Sequence, residues 1–531
     1  MPAPSSLAID PATPWRPSVN PWLIAAAVML ATFLEVLDTS VANVALPHIA
    51  GNLSASTDEA TWVLTSYLVS NAIVLPMTGW LASFFGRKRF LIGCVAIFTL
   101  ASAACGAAGS LGFLITARIV QGAAGGALQP LSQAILMESF PPAKRGMAMA
   151  TFGLGVVVAP IIGPVLGGWI TDNYSWRWVF YINIPFGVLA VLMSQAFLED
   201  PPYLRAARER SRGQIDYIGF GALALWLATL QVILDRGQQD DWFNAHWLVW
   251  ASLISLGSMV WFIVWELRAE HPMVNLRVLG NRNFAVGTLL ITVVGVVLYS
   301  TTALLPLFLQ GLMGYPALNS GMAVSPRGIG AVAALVVVGR LVGKIDTRFL
   351  IAFGFSLLAY ATWQFARINL DIATVSVTWP NILSGVAMGF VFVPLTTTTM
   401  GDLSNEQMGN ASGIFNLMRN LGGSIGISLA TTLVARGAQI HQAMLAGHLS
   451  PYDTQSQQFL QNTARAMSAY SDSVTAHQQA YGVLYGILVQ QANLGAYIDT
   501  FAFLVLLCLL SIPLVLLFKK IRPHGGAVAV H

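Results

Sequence analysis

Charge is what this chain of 531 residues has least of: Asp, Glu, Lys and Arg together make up 9% of it. A soluble domain carries about 25%, so a large water-soluble protein is excluded and a chain that lives in lipid is implied. Cysteine is scarcer still. Cys94, Cys105 and Cys508 each sit inside an apolar run, with no disulfide framework and no metal-ligand spacing, and read as packed core thiols. No GxxxxGK[ST] phosphate loop occurs, which argues against an ATP-driven pump. HExxH and paired cysteines are missing as well, so no metal site is expected; nor is a cofactor or a nucleic-acid partner. The first 20 residues lack the basic start of a cleaved signal. The apolar run from Trp22 to Leu46 is also longer than a signal core, so it reads as a retained span.

What the chain does have is hydrophobic residues, 56% of the total, gathered in long runs. About 20 apolar residues suffice to cross a bilayer as a helix. Such runs fall near 22–46, 60–82, 90–109, 112–137, 147–169, 178–198, 216–235, 245–266, 284–310, 320–340, 349–366, 378–400, 410–435 and 495–518, giving about fourteen spans. Basic residues follow an alternating pattern between them. Arg16, Arg87, Lys88, Arg89, Lys144 and Arg145 fall on one side, and so do Arg205, Arg208, Arg210 and Arg212. Arg268, Arg277, Arg282, Arg340, Lys344, Arg348, Lys519, Lys520 and Arg522 continue the series. The positive-inside rule then places both termini in the cytoplasm.

An internal repeat organises the spans. Pro130–Gly146 (PLSQAILMESFPPAKRG) is echoed by Pro394–Gly409 (PLTTTTMGDLSNEQMG), and the stretch starting at Gly79 by the one starting at Gly339. Both echoes lie about 260 residues apart, so spans 1–6 recur as spans 9–14, with spans 7 and 8 inserted. The expected layout is a tail (1–21), a six-helix bundle (22–198), a basic linker with an interfacial helix (199–215), the inserted pair (216–266), a second bundle (267–518) and a tail (519–531). The second bundle includes a long outside loop, 436–494, in which short helices are compatible with the pattern. Parallel halves around a cavity are a common plan for secondary transporters.

Ionisable groups inside the spans are the chemical candidates. Glu35 and Asp38 stand three residues apart on one face of span 1, and such acids are costly in hydrocarbon unless they work. Arg118, deep in span 4, needs an acceptor, and a span-1 carboxylate is the obvious one. Gln121 shares its face. In span 13, Arg419 stands beside Asn416 and Asn420; it could bind an anionic substrate or be satisfied by neighbouring groups. The run Gly153–Gly168 (GLGVVVAPIIGPVLGG) sets Gly155, Ala159, Gly163 and Gly167 on one face for close packing. Pro160 and Pro164 in the same run each remove a backbone hydrogen bond, so a kink is expected.

Several of these stretches carry a family likeness. The glycine-proline run resembles the antiporter signature of drug:proton antiporters in the major facilitator superfamily. LDTSVANVALP (Leu37–Pro47), with Asp38, Asn43 and Pro47, resembles the first-span signature of the fourteen-span branch, as does SWRWVFYINIP (Ser175–Pro185), whose Trp and Tyr suit a membrane-interface belt. ITARIVQGAAGGALQP resembles the family's span-4 motif, in which the arginine is tied to proton coupling. GWLASFFGRKR (Gly79–Arg89) resembles the loop between spans 2 and 3, with Ser83 where the family has an acid.

The resemblance implies an all-α polytopic membrane protein with the major facilitator fold, of the EmrB/QacA type and closer to the EmrB-type multidrug efflux transporters. It implies proton coupling by Asp38, Glu35 and Arg118, and a substrate cavity at Asn43, Gln121, Gln129, Asn416 and Arg419. It places an antiporter motif at Gly155, Pro160, Gly163, Pro164, Gly167 and Gly168, and a cytoplasmic gate at Gly79, Ser83, Gly86 and Arg87. The implied activity is inner-membrane export of hydrophobic or amphipathic compounds, driven by protons, with a periplasmic adaptor and an outer-membrane channel as partners. A metabolite exporter or importer on the same fold and a non-transporting membrane sensor remain alternatives.

Overall fold

The computed structural model describes residues 17–55, 57–141, 144–201, 216–270, 272–404, 407–449 and 454–519. Asn20 opens the first helix, accepting a hydrogen bond from the Trp22 amide at 3.0 Å, and Pro21 follows where a missing N–H costs nothing. This helix, α1, runs Pro21–Asn52. The second span is α2 (Thr57–Val74), a 3-10 turn at Leu75–Met77 and α3 (Thr78–Phe85). Gly86 then turns the chain at φ 88°, a backbone that favours glycine, into α4 (Arg87–Gly106). α5 (Leu111–Gly125) and α6 (Leu128–Ser139) make the fourth span, and α7 (Arg145–Asn173) the fifth. The short α8 (Trp178–Tyr181) and α9 (Asn183–Phe197) make the sixth.

Two helices follow between the halves, α10 (Tyr217–Arg236) and α11 (His246–Arg268). Asp216 ties them together: it caps the Gly219 amide at 2.8 Å and accepts from the Trp265 indole at 2.9 Å. The second half comprises α12 (Arg282–Leu307), prolonged by a π turn at Phe308–Leu312, then α13 (Ala317–Val324), α14 (Pro326–Leu341) and α15 (Thr347–Phe365). It ends with α16 (Thr374–Met400), α17 (Met408–His448), α18 (Thr454–Met467) and α19 (Ser473–Val515). No strand occurs among the described residues, only an isolated bridge between Val342 and Ile345.

Each of the fourteen expected runs lies on helix. By length and composition, twelve helical segments of the described chain are long and apolar enough to cross a membrane. The runs in α15 and α17 fall outside those twelve; α17 carries Asn416, Arg419 and Asn420 in its span.

One expectation changes. Residues 436–494 are not a loop for most of their length: α17 and α19 run on through them as paired helices, and among the described residues only 449 and 468–472 interrupt helix. The reason is compositional, since Pro451 is the single proline in that stretch. α7 runs unbroken through Pro160 and Pro164, so two missing hydrogen bonds do not end a helix of 29 residues packed along α1. The interfacial helix expected in the linker lies outside the described residues, apart from its first residues, 199–201. There the Ser18 amide and hydroxyl both donate to Glu199, holding its carboxyl below the usual range.

The halves meet at the end that carries the basic loops. A Cβ on Gly79 would come 2.4 Å from the Asn410 amide nitrogen, and one on Gly409 would come 3.2 Å from the Gly79 Cα. The repeat supplies a second contact of the same kind, where a Cβ on Gly339 would lie 3.0 Å from the Ala150 Cβ and one on Gly146 would lie 2.8 Å from the Val342 Cβ. Above these contacts Phe152 stacks on Phe392 across the halves at 6.4 Å, within an apolar cluster drawn from both. The inserted pair bridges them on the flank, through Asp235 to Thr65 at 2.7 Å and Gln231 to Ser424 at 2.9 Å.

Candidate functional site: two carboxylate clusters along the first helix

Asp38 sits at the centre of a closed polar knot. It is 1% exposed, and its partners come from two other helices. The Arg118 guanidinium on α5 donates to Oδ2 at 2.6 Å; Gln121 and Asn183 donate to Oδ1 at 2.8 and 2.7 Å. Asn183, at the start of α9, is set in turn by the Ser102 hydroxyl, 2.9 Å from its amide nitrogen. Arg118 itself is fully buried and also donates to the Val63 carbonyl at 3.1 Å and to the Gln121 side-chain oxygen at 2.8 Å. The Tyr67 ring covers its face at 4.2 Å. An ion pair so enclosed is affordable in hydrocarbon only because nearly every lone pair has a donor.

Glu35, one turn nearer the basic end, belongs to a different network. It is 6% exposed and accepts from Asn71 at 3.2 Å and from the Gln129 amide at 2.5 Å. The oxygen of the same Gln129 accepts from Arg419 of α17, also at 2.5 Å. Glu35 is thereby linked through one side chain to the opposite half. Two more bonds prolong this seam: Asn416 to Gln133 at 2.7 Å and Ser412 to the Pro130 carbonyl at 2.8 Å.

The structure thus brings Asp38 and Arg118 together as the spacing implied, but separates the two acids into distinct clusters. Of the cavity residues expected, only Asn43 is exposed. Gln121 is locked on Asp38, while Gln129, Asn416 and Arg419 are buried between the halves, because this conformation is closed at that level. Arg419 donates through one terminal nitrogen to two side-chain amides, Gln129 and Asn420, while its Nε is buried without a partner.

The antiporter run packs along α1, beside the two acids. A Cβ on Gly163 would lie 2.4 Å from the Ser40 Cβ, and one on Gly167 would lie 2.9 Å from Val41. Gly155 and Gly168 have ordinary room, with their nearest neighbours at 3.7 and 3.8 Å, so the seam is tight over only part of its length. Pro160 is exposed.

At the expected gate, Ser83 spends its hydroxyl on the Trp80 carbonyl at 2.7 Å, within its own helix. Arg87 pairs instead with the buried Glu138 at the end of α6. Gly86 packs against Asp200, which also accepts from the Lys88 amide at 2.8 Å. The sequence reading missed Glu138 and Asn183. Both lie in stretches it had singled out, PLSQAILMESFPPAKRG and SWRWVFYINIP, and an acid or amide inside an apolar run was the available signal. Trp176 of the second stretch is 2% exposed, a core residue rather than part of an interface belt.

Comparison with known proteins agrees with this architecture. The family model described as Major Facilitator Superfamily matches residues 28–427. The chain belongs to the major facilitator superfamily. Within it, the chain falls in the EmrB-type branch. It is 39% identical over 440 residues to the multidrug export protein EmrB of Haemophilus influenzae, covering 82% of this chain and 85% of that one. It is 40% identical over 432 residues to EmrB of Escherichia coli K12, covering 81% and 83%. The fatty acid resistance protein FarB of Neisseria gonorrhoeae is 37% identical over 499 residues, covering 94% and 96%. Among solved structures, the human organic anion transporter MFSD10 shares the fold at a TM-score of 0.58 and 14% identity, covering 92% of this chain and 99% of that one. As a major facilitator with this many apolar helices, the protein is a multi-pass membrane protein and not an enzyme.

Proposed function

We propose that the protein is a proton-coupled exporter of hydrophobic and amphipathic compounds in the inner membrane, with both termini cytoplasmic and the basic end facing inward. EmrB relatives named for multidrug export, at about 40% identity over most of the chain, support the export of several drugs. The observation that carries the coupling is the chain Glu35–Gln129–Arg419. It joins a buried titratable group to a bond between the halves that must break when the pump opens inward. With Glu35 charged, Gln129 is fixed with its amide on the carboxylate and its oxygen on Arg419. A proton on Glu35 removes the charge that orients Gln129 and so loosens the contact with the second half. Asp38 and Arg118 form the second titratable pair; a proton on Asp38 frees Arg118, Gln121 and Asn183 to rearrange.

Proton entry supplies the work: about 2.3 kcal/mol per charge at 100 mV and about 1.4 kcal/mol per pH unit. Asp38 carries the simplest test. In proteoliposomes with an imposed proton gradient, Asp38→Asn should still fold and insert, at a lowered melting temperature because Arg118 loses its counter-ion, and should lose uphill dye transport. Wild-type uphill transport by that variant would remove Asp38 from the coupling mechanism. The adaptor and outer channel enter from family likeness, supported by the helical extension of α17 and α19 on the outer side.

A further inference from the structure

The second half carries an arginine that the proposed mechanism leaves idle. Arg327 lies in the first turn of α14. On that helix Ile329 and Val336 are exposed at seven-residue spacing and mark the lipid-facing side. At about 100° per residue, Arg327 falls roughly 160–180° around from these two, toward the molecule's interior. Its guanidinium reaches α12, donating to the Thr302 hydroxyl at 2.6 Å and to the Thr301 hydroxyl at 3.1 Å, while its Nε is buried with no partner. Thr302 is exposed, so that end of the group is open.

No carboxylate of the described residues pairs with Arg327. This sets it apart. Arg118 of the first half is neutralised by Asp38, and Arg419 of the second half faces Glu35 through Gln129. Arg327 is a third cation in the same core without an anion of its own, and a lone charge in hydrocarbon costs several kcal/mol. The repeat sharpens the contrast: the step from Gly79 to Gly339 also carries Tyr67 to Arg327. Where the first half lays an aromatic ring over a paired arginine, the second half presents an arginine to be paired. The site lies on the outer side of the Asp38 level. Counted at about 1.5 Å per residue, Thr302 lies roughly 30 Å from the Arg282 end of α12, and Asp38 roughly 25 Å from the Pro21 end of α1.

We infer that Arg327, steadied by Thr301 and Thr302, receives the carboxylate of an amphipathic organic anion. Two hydroxyls and an apolar surround fit a planar, charge-delocalised guanidinium left free to form a bidentate bond with a carboxylate. This inference rests on the transport reading.

The test measures binding by purified full-length protein in phosphatidylcholine nanodiscs, using 2-naphthoate and its methyl ester as probes. The wild type should bind the carboxylate about ten- to a hundredfold more tightly than the ester, the range a charge-assisted hydrogen bond supplies. Arg327→Gln should bind the two alike while keeping the wild-type affinity for the ester, which also shows that it is folded. Arg327→Lys should recover part of the preference. Full preference in Arg327→Gln, or no preference in the wild type, overturns the inference while leaving export of neutral compounds untouched. Loss of the preference when phosphatidylglycerol is added overturns it too, by giving the site to a lipid headgroup. If neither probe binds and no compound is transported, the transport reading itself fails.

Discussion

Asp38 shows how a charge is made tolerable inside a membrane protein: three side chains donate to its two oxygens, and a fourth, Ser102, fixes one of them. Asn183 is the donor whose loss is cleanest, because it makes no ion pair and lies on a separate helix. Asn183→Leu should lower stability by about 1–3 kcal/mol, the cost of stripping a hydrogen bond from a buried charge. Transport should fall by an order of magnitude or more, while Asn183→Gln should be intermediate. Thermal unfolding in detergent and initial rates in proteoliposomes check both; an unchanged Asn183→Leu would show that two donors suffice. That Arg118 would meet a span-1 acid was legible in the sequence, because a buried guanidinium and a buried carboxylate have few other choices; which of Glu35 and Asp38 it meets was not. Asn183 was not, since an amide near a run of aromatics reads as a helix start until the fold brings it onto α1. The partner of Arg87 was not legible either, since its acid lies 51 residues further on, at Glu138.

Among the elements, α7 is one that touches both halves. Near the basic end it touches α14 through Gly146 and Gly153, and further along it lies on α1 through Gly163 and Gly167. The graded tightness of that seam makes a two-sided prediction. Gly163→Leu should block transport, since even a Cβ there would come within 2.4 Å of Ser40. Gly155→Ala should transport normally, because its nearest neighbour is 3.7 Å away. Equal activity in both variants would mean that the seam is not closed during the cycle. Helical period sufficed to find this face, but not to say which glycine was crowded, because that depends on the side chains α1 presents. The helical extensions were hidden for a different reason. Gln- and Ser-rich sequence is polar like a loop, and only the pairing of α17 with α19, with His441 2.7 Å from Asp499 and a Cβ on Gly437 3.1 Å from Ala496, reveals it as helix.

For the whole molecule, the two glycine contacts at the basic end decide which side is shut. Gly79→Leu should drive the halves apart there and raise the labelling of cysteines introduced beside Gly79 from the cytoplasmic face, with labelling from the other face reduced. An unchanged pattern would show that the contact does not hold the closed state. The far end has its own test. α19 alone has 43 residues, about 65 Å of helix at 1.5 Å per residue, against a hydrocarbon core of about 30 Å. Much of it therefore stands outside the membrane, with Tyr470, Val474, Tyr481 and Tyr485 exposed on or beside the projection. Replacing 445–490 by a short Gly/Ser linker should leave transport in proteoliposomes largely intact and abolish resistance in cells that rely on an adaptor and outer channel. Lost transport in the purified system would assign the projection to the pump's own cycle.

The crossed contacts between the repeats bear on ancestry. Gly79 of the first half meets Gly409 of the second, and Gly339 of the second meets Gly146 of the first, so each half carries one member of each kind of contact. A surface that contains its own complement joins to a copy of itself about a two-fold axis without any second gene product. A six-helix protein bearing only the Gly79 and Gly146 surfaces would therefore have what it needs to close as a homodimer. Duplication and fusion would then have left each half free to specialise, one towards proton chemistry and the other towards cargo.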